Sequence, residues 1–350
     1  MNRKYYIKKL ILLYIKYITT FNKDEKMLYL HNIDYLISFV NYSEFHNLHI
    51  PGFFYYLGDY NLKANDRMMK YESDTYKSII ETMPLYKEYI KLNDGITELS
   101  DNPDIYKKEF QEKVELEKSK DLAGDFFMHF DTDLYLYYNN LRNNNLIIKP
   151  KSFDNNAIDG CTMFVSKNKI NPFIVEYCNC FLDAVVIVHE TMHSYLINKI
   201  LYNISYDEYS RYLINNIDEV GPIFMEMLFL DYIDNKGLYK EDVRIMKYEN
   251  FDDYCYFYTS LEDSLNEYLY GPREDAEYEA PAFDFVEKEG LGYLYAFMFY
   301  KRYLENGNKN ILYSFYNDAK YLTKKELLEK YKLTANNLED LESLKEYIRR

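Results

Sequence analysis

His189-Glu190-Thr191-Met192-His193, inside the run VVIVHETMHSYLINKI from Val185 to Ile200, carries the residue types and spacing of a zinc site. Val185, Val186, Met192, Leu196, Ile197 and Ile200 recur at helical intervals, which predicts a helix from about Leu182. Residues four apart on a helix project from one face about 6 Å apart, so the two imidazoles can occupy neighbouring corners of a tetrahedron. Glu190 follows the first His on the same edge. There it can take a proton from an attacking water and hand it to a leaving amine. Without a cation, the apolar lead-in VVIV would strand a carboxylate and two rings in hydrocarbon.

A catalytic zinc needs a third protein ligand and one open position. No His follows His193, so a carboxylate must serve. The stretch NNIDEVGPIFMEMLFLDYI offers Glu219, 26 residues past His193, and Glu226, seven further on. Both lie on or beside an apolar stripe of Val220, Ile223, Phe224, Met227 and Leu230, where an acid wants a partner. Asp218, Gly221 and Pro222 mark the opening turn of that helix. SYDE, from Ser205 to Glu208, reads as a capping box that opens an intervening helix and lets the chain return antiparallel.

The elements that must position these groups are mostly helices. GCTMFV from Gly160 and FIVEYCNCF from Phe173 suit two paired strands before the motif helix. Residues 1 to about 145 read as several helices with no catalytic signature. His46 and His49, close to a proline, read as loop and packing residues. Cys161, Cys178, Cys180 and Cys255 form no CxxC pair, which fits a reducing compartment and predicts a cytoplasmic protein; Cys178 and Cys180 would alternate along a strand. A net charge of −15 argues against a nucleic-acid partner and favours cationic ligands only at a range that salt screens. The apolar run Leu10–Ile15 is too short for a signal peptide or a membrane span, and an amphipathic first helix with snorkelling lysines is expected.

Four ordered blocks over residues 150 to 335 resemble the thimet oligopeptidase and oligoendopeptidase F family of gluzincin metallopeptidases. HETMHSYL resembles the family's HExGHSxHS segment and EVGPIFMEMLFLDYI its EVxSxxNExLLxxYL helix. DGCTMFV and NPFIVEYCNCFLDAVVIVHE are similar to its glycine-containing strand, edge strand and motif lead-in. The run from Gly290 to Leu333 resembles its Tyr-rich helix and helical tail. The resemblance implies a mainly α, zincin-like peptidase fold with a small β-sheet edge beside the HExxH helix. It implies a helical N-terminal region, residues 1–149, packed on a catalytic region, residues 150–350.

It further implies His189, His193 and Glu219 as ligands of one zinc, Glu190 as the acid/base and Glu226 as the orienter of a ligand His. Gly160, Phe173, Ile174 and Val175 would hold a peptide substrate by backbone pairing, and Tyr293 and Tyr295 would stabilise the oxyanion. The sequence departs from the family at Met192, where Gly is usual. It also lacks the His ahead of the Tyr cluster, where DFVEKEGLGY is read for its acids alone. The expected activity is hydrolysis of peptides; the alternative is a catalytically impaired relative that keeps zinc and binds peptides or a protein.

Overall fold

A computed structural model of the chain describes residues 3–19, 63–100, 110, 112–148, 160–162, 173–175, 178–201, 206–271, 280–337 and 341–349. His46, His49 and the Ser205 of the expected capping box lie outside them. The first half contributes α1 (Arg3–Thr19), α2 (Lys63–Ile90), α3 (Asn93–Ser100), α4 (Leu116–Phe130) and α5 (Thr132–Asn143). Strands β1 (Ile147–Ile148), β2 (Gly160–Thr162) and β3 (Phe173–Val175) follow. The rest is helical: α6 (Leu182–Leu196), α7 (Tyr206–Asn215), α8 (Val220–Asn235), α9 (Lys240–Thr259) and α10 (Leu261–Tyr270). The short α11 (Phe283–Phe285) runs through a π-helical turn, Val286–Leu291, into α12 (Gly292–Asn306). After it come α13 (Asn310–Asp318), α14 (Lys324–Lys330) and α15 (Leu341–Arg349). The fold is mainly α.

Two helices apolar on nearly every side make the centre. In α6, Ala184 to Val188 are all buried, and in α8 every residue from Val220 to Leu230 is buried. A helix with no polar face must be enclosed. Helix α8 accordingly packs on α6 at one side and on α12 at another, while α4 and α5 cover α6 from outside. Helix α2, far away in sequence, packs on α7, α10 and α14.

The start of α6 is fixed by one buried carboxylate. Asp183 accepts hydrogen bonds from the backbone N–H of Cys178 at 2.8 Å and of Asn179 at 2.9 Å, satisfying donors that precede the helix. Asn179 takes the left-handed conformation, φ 62°. Cys178 to Cys180 therefore form a turn rather than the end of a strand, which corrects the alternation expected from the sequence: the capping carboxylate bends the chain there.

The sheet order is β1-β3-β2, with β3 parallel to β1 and antiparallel to β2. Phe173 and Ile174 are paired on both sides, so β3 is the middle strand and cannot offer its backbone to a peptide. This corrects the expectation for Phe173 and Ile174; Val175 pairs with Gly160 of β2, and the side chains of Phe173 and Val175 belong to the core. Among the described residues β1 and β2 are the two edges, and β2 carries Gly160.

Candidate metal centre

His189 and His193 stand one turn apart on α6, and Glu219 is the residue just before α8. The motif helix and the end of the α7–α8 connection thus supply the three groups from two packed elements. Glu219 Oε2 lies 3.1 Å from His189 Nε2 and 3.1 Å from His193 Nε2, and the two ring nitrogens are 3.0 Å apart. Corners of a tetrahedral zinc site with bonds of 2.0–2.1 Å are separated by about 3.3 Å. The triangle is close to that size.

The hydrogen bonds around the triangle explain its polarity. Glu226, two turns along α8, pairs through Oε1 with His189 Nδ1, while its Oε2 accepts from Asn250 Nδ2 at 2.6 Å. Once a cation displaces the Nε2 proton, the proton that Glu226 holds at Nδ1 leaves Nε2 a lone pair facing the same point as His193 Nε2 and Glu219 Oε2. Three electron-pair donors facing one point fit a divalent cation. Burial alone would lower the His189 pKa, yet the carboxylates of Glu219 and Glu226 outweigh it and hold the ring well above the ordinary histidine range. Burial likewise works against ionised Glu219, but the charges of His193 and Lys288 and the hydrogen bonds from both rings keep it well below the carboxylate range.

Glu219 is placed by its surroundings rather than by its own helix alone. The Tyr316 hydroxyl donates to Ile217 O at 3.0 Å and accepts from Gly221 N at 2.6 Å, bracing the turn on both sides of Glu219. A Cβ on Gly221 would stand 2.9 Å from that hydroxyl and from Leu196 Cδ1, so glycine permits the close approach. Glu190 is buried, and Thr162 of β2 donates its hydroxyl to Glu190 Oε2 at 2.6 Å. The edge strand is thereby tied to the expected acid/base.

The tyrosines divide. Tyr293 is buried with its ring stacked on Tyr254 at 4.9 Å, and its hydroxyl has no hydrogen-bond partner among the described residues. Tyr295 turns the other way, its ring 5.9 Å from Tyr89 of α2. Residues two apart on a helix face nearly opposite directions, so the pair cannot share one site. Tyr295 is not brought to the metal centre. Tyr254, which no sequence motif singles out, is a third phenol: its pKa is raised well above the usual value by burial and then by the nearby charges of Glu226, Glu289 and Glu219.

Lys288 is a second group that sequence reasoning misses. The stretch DFVEKEGLGY draws the eye to its acids, yet Lys288 Nζ lies 2.9 Å from Glu219 Oε1 and 3.3 Å from Asp218 Oδ2. Its neighbour Glu289 is pushed up to about 7 by burial and by the charge of Glu219. The π-helical turn delivers both. Beside it, His193 and Lys288 open on a cavity of about 860 Å³ that is lined also by Tyr71 and Ile79 of α2, Tyr212 of α7 and Tyr268 of α10.

No protein-family model and no curated protein matches the chain. Among solved structures, a candidate peptidase from Chlamydophila abortus is similar over 81% of this chain and 55% of its own, at 16% identity and a TM-score of 0.51. A candidate oligoendopeptidase F from Bacillus anthracis is similar over 93% of this chain and 61% of its own, at 14% identity and a TM-score of 0.45. Pz peptidase A, solved with an inhibitor, is similar over 99% of this chain and 66% of its own, at 14% identity and a TM-score of 0.47. The chain spans about half the length of the Chlamydophila structure, and at this identity the likeness is one of fold.

Proposed function

We propose that the chain is a zinc-dependent peptidase of the oligoendopeptidase F type, with His189, His193 and Glu219 holding the metal and Glu190 moving the proton. The observation that carries this reading is the meeting of His189 Nε2, His193 Nε2 and Glu219 Oε2 within 3.1 Å of one another. A bound zinc supplies a Lewis acid that polarises the scissile carbonyl and makes water nucleophilic near neutral pH. Glu190 accepts the proton of the attacking water and passes it to the departing amine, while Glu226 keeps the His189 ring in one tautomer and orientation. A peptide backbone pairs along the outer edge of β2, from Gly160 to Thr162, the strand whose Thr162 holds Glu190.

The alternative, a peptide-binding relative that keeps zinc without turnover, draws on the burial of Tyr293 and the packing of Tyr295 against Tyr89 in the core. Purified protein decides between them. About one zinc per chain together with chelator-sensitive cleavage of a quenched peptide library supports the peptidase. Zinc with no cleavage supports the binding relative, and absence of zinc overturns both.

A further inference from the structure

Glu219 uses its two oxygens for different partners. Oε2 faces both imidazoles at 3.1 Å, whereas Oε1 is held by the Lys288 ammonium at 2.9 Å. The lysine itself is anchored on its other side by Asp218, 3.3 Å away.

Nor can the turn that carries Lys288 drift. Glu287, one residue earlier, pairs with Lys324 at 2.5 Å, accepts from Asn216 Nδ2 at 3.2 Å and is hydrogen-bonded to the Tyr86 hydroxyl. Two residues later, Gly290 presses its backbone on α9, where a Cβ would meet Tyr258 N at 2.6 Å. Lys288 is pinned from both ends of the π-helical turn, and its side chain borders the cavity shared with His193.

A carboxylate beside a zinc ion can give one oxygen or two, and the second oxygen occupies the position a substrate needs. A charge-assisted hydrogen bond to one oxygen settles the choice. We propose that Lys288 is a positioning residue that holds Glu219 Oε1 away from the metal, so that Glu219 binds through Oε2 alone and a coordination position stays open. This rests on the zinc reading above. Its cost is in affinity, because the ammonium competes for the carboxylate and repels a divalent cation.

The consequence is an unusual pair of opposite effects. Lys288→Met should bind zinc about tenfold more tightly as the repulsion of the ammonium is lost, measured by competition with a chromophoric chelator, while kcat falls about tenfold or more with KM changed less. Cobalt substituted for zinc should report the cause. The native protein should give the intense visible absorption of a four-coordinate ion, and Lys288→Met should lose about half of it as a fifth ligand enters. Lys288→Arg should restore both affinity and spectrum. Should Lys288→Met not fold, Lys288→Gln and Asp218→Asn carry the same expectations in weaker form. Unchanged or weaker zinc binding with an unchanged cobalt spectrum in the variants overturns the role of Lys288. If native protein takes up neither metal, the zinc reading itself has failed, and the two outcomes are told apart by the native sample alone.

Discussion

A fixed local geometry makes half of the centre readable at the level of single residues. His189, Glu190 and His193 can be read from spacing because a helix leaves their relative directions no freedom. Glu219 requires more: the apolar stripe offers Glu219 and Glu226 alike, and only the resemblance of EVGPIFMEMLFLDYI to a family helix implies Glu219 as the ligand. Lys288 is illegible, since it reaches Glu219 across tertiary packing. Replacing Glu190 by Gln keeps size and hydrogen bonding but removes the proposed base. It should lower kcat about 10²- to 10⁴-fold with zinc content intact, as measured by single-turnover cleavage and metal analysis. Glu226→Gln weakens the grip on His189 Nδ1 and the acceptance of the Asn250 amide. A fall of about 10- to 100-fold in metal affinity is expected; an unaltered affinity would detach Glu226 from the centre.

Secondary-structure elements are legible in kind and less so in order. The helices around the motif and the two strand segments can be anticipated from periodicity, but strand order depends on a third, two-residue strand, Ile147–Ile148, too short to leave a pattern. That strand is what turns Phe173–Val175 from an edge into a centre. The π-helical turn Val286–Leu291 is likewise invisible to a 3.6-residue period. Its fit depends on Gly290. Gly290→Ala must displace backbone of α9, and a loss of about 1–3 kcal/mol in urea unfolding is expected, together with weaker catalysis as Lys288 and Glu289 move.

The turn also carries a pH dependence. Glu289 has its pKa raised from 4.5 to about 7, so the folded metal-free protein holds a proton that the unfolded chain has lost between those values. Its contribution to stability is full below about pH 4.5 and disappears as pH rises through 7. Thermal melts of metal-free native protein and Glu289→Gln should therefore show the native protein losing up to about 3 kcal/mol relative to the variant between pH 5 and pH 8.

At the scale of the whole molecule, the cavity beside His193 draws walls from α2, α7 and α10, elements separated by much of the chain. Nothing in local sequence pattern announces such a meeting. It is held by charges inside the protein: Lys324 and Glu287 are almost fully buried, and Tyr86 of α2 joins them. Removing one partner leaves the other uncompensated in a low dielectric, so Lys324→Met should cost about 3–5 kcal/mol in denaturant unfolding. Glu287→Gln, made on top of it, should recover part of that loss. A surface-like effect below about 1 kcal/mol would show that water reaches the pair.

That clasp has a bearing on how the protein is made. On the ribosome, the histidines of α6 emerge well before Lys288, and Lys288 before the Lys324 that secures its turn. A nascent chain stalled between them would own its metal-binding donors without the braced groove wall. The hydrolysis proposed above would then await the finished fold.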